Sequence, residues 1–423
     1  MTEHLPAILL ATLNLLAVWL LMAVPVGVRT VRVKARMTAD AEKVWQAVSP
    51  RGRFANWHHG TLSSTPAAGS ADLVEQRLTA LDRHGEPIRR VFEVKDVSVD
   101  AARRALDIRV VEDSTLDIAF WKNFHERVAL QDNDDGTVTL AVSRTDRYRG
   151  VAFLLLRHFA LRRELKALRQ WLATGRSDPE RFGFEHPAFQ VALAALSTLI
   201  LWPFFGLSKT GLLLSALLTV VIVLHEFGHM LAYRAFGHPS TRMIILPLLG
   251  GVAIGGRPYN SLFEVASCAL MGAGMSAFLV PAVIAFHQSF GVGQTAFANA
   301  AVLFFLLILG AFNLLNLLPM NRFDGGQVLR QVFPGPVSLT AGSFLVTVII
   351  LTIGWRIGVP DFTLVAALAV FALLSLMGHR GVKPRHRLVE MSPAQRLMSG
   401  LGLYAALALH GYAVIYATDR LMS

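Results

Sequence analysis

Three residues set within an apolar stretch, His225, Glu226 and His229 in VVIVLHEFGHMLAYRAFG, are the strongest chemical signal in the chain. Ionisable side chains at membrane depth are costly, and they are kept where they serve a function. On a helix, positions i and i+4 share one face, so both imidazoles reach a single zinc at about 2.0–2.1 Å. Glu226, beside the first ligand, is then placed as general base on a metal-bound water. For a chain of this composition the expected number of His-Glu-x-x-His matches is about 0.014, so chance is a poor account. The competing reading is a pair of histidines hydrogen-bonded across a helix bundle, and the glutamate between them speaks against it.

A catalytic zinc takes three protein ligands and leaves one position open. The stretch FNLLNLLPMNRFDGGQVL offers the third. Pro319 removes a backbone donor, and Gly325 and Gly326 relax the chain, so the helix must break here. A break at membrane depth is tolerated only against protein or a water-filled cavity, which is the setting an aspartate ligand needs. Asp324 reads either as that ligand or as a helix N-cap with Gln327 as its partner.

The rest of the chain must position these groups. Its 423 residues are 53% hydrophobic and 16% charged, with a formal net charge of +11, which excludes a purely soluble globular protein. Residues 29–186 hold 27 of the 40 Lys and Arg and 22 of the 29 Asp and Glu. One cysteine, Cys268, excludes an intramolecular disulfide and a thiolate cluster, so zinc must rest on His and carboxylate. Eight apolar segments are expected: Leu5–Val28, Ala188–Leu207, Gly211–Ala235, Leu262–His287, Ala298–Leu318, Thr340–Gly354, Phe362–Met377 and Ser399–Thr418. Alternating them from an outside N-terminus puts 29–186 and the basic loops on one side, the last of these with Arg380, Lys383, Arg385, Arg387 and Arg396. By the positive-inside rule that side is the cytoplasm. The basic excess faces anionic headgroups of the lipid bilayer, so nucleic acid is not expected as a partner. The segment before the first span lacks the basic start of a signal peptide, and it reads as an anchor. Short loops and no organelle-targeting peptide suit a plasma membrane, that of a bacterium (the inner membrane).

The motif residues resemble the site-2 protease family of intramembrane zinc metalloproteases. The likeness runs on through AYRAFGHPSTRMIILPLLGGVAIGG, similar to the family's short sheet segment, and NLLPMNRFDGG, similar to its Asn-x-x-Pro and Asp-Gly motif. It covers about Leu201–Val332. The resemblance implies one zinc on His225, His229 and Asp324, Glu226 as base, and Asn316 as a substrate or oxyanion contact. It also implies hydrolysis of a peptide bond in or near a transmembrane segment of a protein substrate. Such a substrate must unwind, and Met243–Ala253 offers a strand edge for an extended peptide. Where many members have Ala-Gly-Pro followed by Asn, this chain has Met271-Gly-Ala-Gly-Met-Ser276, which keeps the small residues and loses the Pro and Asn. Any binding role of that Asn is absent. Asn321 and Arg322 make the segment before Asp324 polar and suggest that it lies near headgroups.

Within 29–186 the order is an alternating strand Val31–Ala35, a helix Ala39–Val48, then Phe54 and Trp57. Strand-like runs follow at Leu73–Leu81, Val91–Val99, Ala105–Val111, Leu116–Leu130 and Thr137–Arg144, with Asp135-Gly136 as a hairpin turn. A helix Val151–Thr174 closes the domain. This order resembles the START-like helix-grip family, which encloses apolar ligands; the alternative is a generic α+β domain. His58 and His59 read as an exposed loop pair, His410 as bonded within the bundle, and His379 and His386 as interfacial.

The fold class is therefore a polytopic α-helical membrane protein of about eight spans, with a site-2 protease-like core and a cytoplasmic α+β helix-grip-like domain. Its expected parts are an anchor (1–28), the cytoplasmic domain (29–186), the metalloprotease core (187–380), and a basic loop with a final span (381–423). The expected activity is that of an intramembrane zinc endopeptidase whose cytoplasmic domain binds a hydrophobic ligand or the substrate. A metal transporter and a catalytically silent lipid-binding scaffold are the alternatives.

Overall fold

The computed structural model describes residues 5–67, 70–100, 103–133, 135–176, 186–239, 241–248, 250–290, 295–320, 323–376 and 387–423. The expectations for Asn321, Arg322, Arg380, Lys383, Arg385, His379 and His386 lie outside them. The chain divides into two compact units, Asn14–Arg181 with Gly381–Arg387, and Met1–Leu13 with Phe182–Arg380 and Leu388–Ser423.

The first helix, α1 (Leu5–Met22), is shorter than the expected Leu5–Val28, because Pro25 already begins strand β1 (Pro25–Met37). In β1 the buried residues Val31, Val33 and Met37 alternate with exposed Arg32, Lys34 and Arg36, as one-sided burial of a strand requires. A short helix α2 (Ala41–Val48) follows; Asp40 caps it by accepting the Lys43 amide at 3.1 Å. The strands β2 (Thr61–Pro66), β3 (Leu73–Leu81), β4 (Pro87–Asp100), β5 (Arg103–Asp113), β6 (His125–Asp132) and β7 (Val138–Arg149) form an antiparallel meander, and β1 pairs with β7 to give the order β1-β7-β6-β5-β4-β3-β2. The helix α3 (Val151–Thr174) has the expected bounds. It starts after Gly150 and ends at the left-handed Gly175, and it buries Leu161, Leu165 and Leu168 as one stripe. Arg144 of β7 ties it to the sheet, donating to both Glu164 oxygens at 2.9 Å and to Glu126 of β6.

Three expectations for this unit are corrected. Strand β2 was not foreseen, because TLSSTP lacks an apolar alternation to betray it. Leu116–Leu130 is not one strand. Buried Asp113 accepts the Thr115 and Leu116 amides at 2.8 and 2.9 Å and turns the chain away, and Asp117 then caps a 3-10 turn at Ile118–Trp121. His58 is half-buried rather than fully exposed, stacked on Phe54 at 4.6 Å between ring centres.

Burial alone would push the Asp113 carboxyl up, but the Thr115 and Leu116 amides, the Thr115 hydroxyl and Arg90 together hold it below the usual carboxylate range. A depressed folded-state value stabilises the unit above the unfolded carboxylate pKa, and that contribution is lost as pH falls through the folded value. The resistance of this unit to thermal unfolding is therefore expected to fall on acidification below about pH 4, and that acid limb should flatten in Asp113→Asn.

The second unit is helical: α4 (Pro187–Leu201), α5 (Lys209–Ala235), α6 (Leu262–Phe290), α7 (Ala296–Asn316), α8 (Asp324–Val332), α9 (Pro336–Arg356), α10 (Asp361–Leu376) and α11 (Pro393–Met422), with a hairpin β8 (Arg242–Leu246) and β9 (Gly250–Ile254) between α5 and α6. Among the described residues seven helices are long and apolar enough to cross a membrane, and they fit a multi-pass membrane protein. The remaining expected span, Phe362–Met377, corresponds to α10, of which 16 residues are described. Helices α5, α6, α7, α8 and α11 pack on one another. The last span thus belongs to the same bundle as the chemical residues.

Candidate metal centre

His225 and His229 lie one turn apart on α5, and Asp324 opens α8. The helix break expected at Pro319 is present: α7 ends at Asn316 and α8 begins eight residues later. Asp324 does not cap α8. That place belongs to Phe323, which makes no side-chain cap bond, and the Asp324 carboxylate points instead to the imidazoles. Its Oδ2 is 3.0 Å from His225 Nε2 and 3.3 Å from His229 Nε2, and the two Nε2 atoms are 3.1 Å apart.

The outer atoms of the rings fix which lone pairs face inward. Asn313 Nδ2 donates to the Leu309 carbonyl, so its Oδ1 accepts from His225 Nδ1 at 2.8 Å. His229 Nδ1 donates to the Cys268 carbonyl at 2.6 Å. In the neutral rings a proton on each Nδ1 leaves both Nε2 lone pairs turned toward Asp324. Asp324 Oδ2 is buried and lacks a hydrogen bond of acceptable geometry.

Three inward acceptors at 3.0–3.3 Å are a repulsive arrangement that a cation would resolve. Four ligands at zinc distances of about 2.0–2.1 Å stand about 3.3 Å from one another in a tetrahedron, so the donor triangle fits this ion. Gly272 of α6 forms the floor: a Cβ there would sit 2.5 Å from His229 Nε2 and 2.6 Å from His225 Nε2. The small-residue stretch Met271–Ser276 therefore does more than pack helices. His225, Glu226 and His229 together form a group that could hold a metal.

Glu226 is buried on α5 and lines the same cavity as Ala253 of β9. Gly251, two residues earlier, lies against the Glu226 side chain and leaves no room for a Cβ. A cavity of about 660 Å³ opens before these groups, lined among others by His225, Glu226, His229, Asn316 and Asp324. Asn316 thus reaches the cavity, with its Nδ2 donating to the Phe312 carbonyl at 3.0 Å. The asparagine that touches a proposed ligand is Asn313, one turn earlier and fully buried. A polar residue in an apolar span was the available signal for both, and the sequence reading spent it on Asn316 alone. Outer-shell partners tune metal affinity by about 10–100-fold. Asn313→Ala is accordingly expected to weaken zinc binding within that range, as measured by competition with a chelator.

His410 of α11 is bonded within the bundle as expected, its Nε2 donating to the Ala273 carbonyl at 2.9 Å.

No protein-family model matches the chain. It is 28% identical over 179 residues to a curated zinc metalloprotease of Methanocaldococcus jannaschii, an alignment covering 41% of this chain. The chain spans about half the length of that relative, 50%. Among solved structures, a START superfamily protein from Mycobacterium smegmatis aligns with 35% of this chain and 99% of its own, at 13% identity and a TM-score of 0.28. The protein XoxI from Bacillus cereus aligns with 34% of this chain and 96% of its own, at 15% identity and a TM-score of 0.26. The chain is thus similar in sequence to a zinc metalloprotease and holds a His-Glu-His group able to take a metal.

Proposed function

We propose that the chain is an intramembrane zinc endopeptidase of the site-2 protease type, binding one ion through His225, His229 and Asp324. The observation that supports this reading best is the inward-facing donor triangle with buried Glu226 beside it. When bound, zinc would supply Lewis acidity and a water acidic enough to attack a carbonyl near neutral pH. Asn313 and the Cys268 carbonyl hold the imidazoles in orientation. Glu226 takes a proton as the water oxygen bonds to the carbonyl carbon, and returns it to the leaving amine as the C–N bond breaks. Asn316 keeps one amide proton free of its bond to Phe312 and lies on the cavity wall, a position suited to a developing oxyanion.

The hairpin supports an extended substrate. Ile245 donates its amide outward to Gln190 Oε1 at 2.9 Å. Gly251 is opposite Ile245 in the ladder, and Ala253 has the same parity, so both turn their amides away from β8. A substrate strand added at that outer edge would lie along the cavity that Glu226 lines. In this account α1, α4–α7 and α9–α11 cross the bilayer, which keeps residues 29–186 and the basic loops on one side. The basic segments then place residues 29–186 in the cytoplasm of a bacterial inner membrane, where the sheet-and-helix unit binds a hydrophobic ligand or recruits the substrate.

Purified protein reconstituted with single-span substrates is expected to cut them, to lose activity with a zinc chelator, and to regain it on adding zinc. Loading of labelled zinc into sealed vesicles, without cleavage, would point instead to transport.

A further inference from the structure

Beyond the metal ligands, α5 carries a third residue on the same stripe. Tyr233 follows His225 and His229 at four-residue spacing, and it lines the cavity. Its hydroxyl is 2.7 Å from that of Tyr259, which lines the cavity from the segment between β9 and α6. The rings stack at 5.9 Å between centres. Two phenols own two O–H protons, and the bond between them uses one. Among the described residues neither phenol has another hydrogen-bond partner, so one proton is left to donate beside the cavity.

The pair is held from behind by a buried ionic cluster. Glu264, 1% exposed, accepts from His238 Nε2 at 2.6 Å and from the Asn260 amide at 2.7 Å, and forms an ion pair with Arg257 Nη1 at 3.1 Å. Arg257 also donates to the Phe236 carbonyl at the end of α5. The His238 ring packs on Tyr233, 4.9 Å between centres. Two of these partners, Arg257 and Asn260, flank Tyr259 and the third, His238, follows α5, so the cluster ties that segment to the end of α5 and with it the phenol pair. A buried cluster of this cost is hard to explain by fold stability alone, since apolar replacements would serve that end as well.

The geometry points to a substrate subsite: the Tyr233–Tyr259 pair donates a hydrogen bond to a backbone carbonyl of an extended peptide, about two residues from the scissile bond. The distance follows from the stripe. Four residues of helix rise about 6 Å from His229 to Tyr233, and an extended peptide covers that in about two residues at about 3.3 Å each. This inference rests on the proteolytic reading for the identity of the ligand as peptide.

The test measures binding of a labelled synthetic single-span peptide in micelles to Glu226→Gln protein, with and without Tyr233→Phe and Tyr259→Phe. The double variant is expected to raise Kd about 3- to 10-fold, each single variant less, with zinc content and thermal unfolding unchanged. Replacing each peptide bond of the probe in turn by an alkene removes one carbonyl at a time. One position should cost the parent protein about as much as the double variant loses, and cost the double variant nothing more. The same penalty in both proteins at every position would overturn the inference, as would absence of peptide binding to the parent. Binding with these effects but no cleavage by wild type would count against the proteolytic reading alone.

Discussion

Replacing Glu226 by glutamine is expected to leave zinc bound and to lower peptide hydrolysis by about 10²–10⁴-fold, the range general-base catalysis supplies. In free energy this is about 2.7–5.4 kcal/mol of barrier. Glutamine keeps the side chain's size, so the close contact with Gly251 survives. What is lost is the ability to take a proton. Because Glu226 is not one of the three inward donors, metal content measured on the same preparation should stay near one ion per chain. Loss of zinc together with activity would move Glu226 from base to ligand.

Asp324→Ala should act on the other half of the site. Changes one shell out from a metal cost about 10–100-fold in affinity, and removal of a ligand itself should exceed that range, leaving His225 and His229 with two donors only. Helix α8 is expected to persist, because Asp324 makes no capping bond and the small residues Gly325 and Gly326 pack beneath it, against the Leu317 and Met320 carbonyls. Circular dichroism unchanged with zinc lost on dialysis would separate the ligand role from a structural one. Retained zinc would return Asp324 to the reading of a helix-start residue.

The chemical residues were legible because burial of ionisable groups in an apolar helix leaves few alternatives, and because four-residue spacing is a geometric statement. Asp324 was legible only as one of two readings, and in the structure the cap position belongs to Phe323. Gly272 and Gly251 were not legible as parts of the site. Their contribution is the room they leave for the imidazoles and for Glu226, and that depends on helix and hairpin packing across long sequence separations. Tyr233 and Tyr259 were missed for a different reason: a tyrosine near a span end ordinarily reads as an interface anchor. In the sheet unit, the alternation of β1 and the glycine-bounded α3 could be read directly. The break after β5 depends on Asp113 bonding to its own backbone, and no hydrophobic pattern records that.

The central claim is that hydrolysis occurs within a membrane-spanning segment at this zinc site. It is tested most directly by reconstituting wild type and Glu226→Gln with a single-span substrate in liposomes and locating the new termini by mass spectrometry in water enriched in oxygen-18. The account predicts one cut inside or at the border of the apolar segment, one heavy oxygen in the new carboxyl terminus, and no product from Glu226→Gln. Equal product from both proteins, or cuts confined to soluble loops, would contradict it.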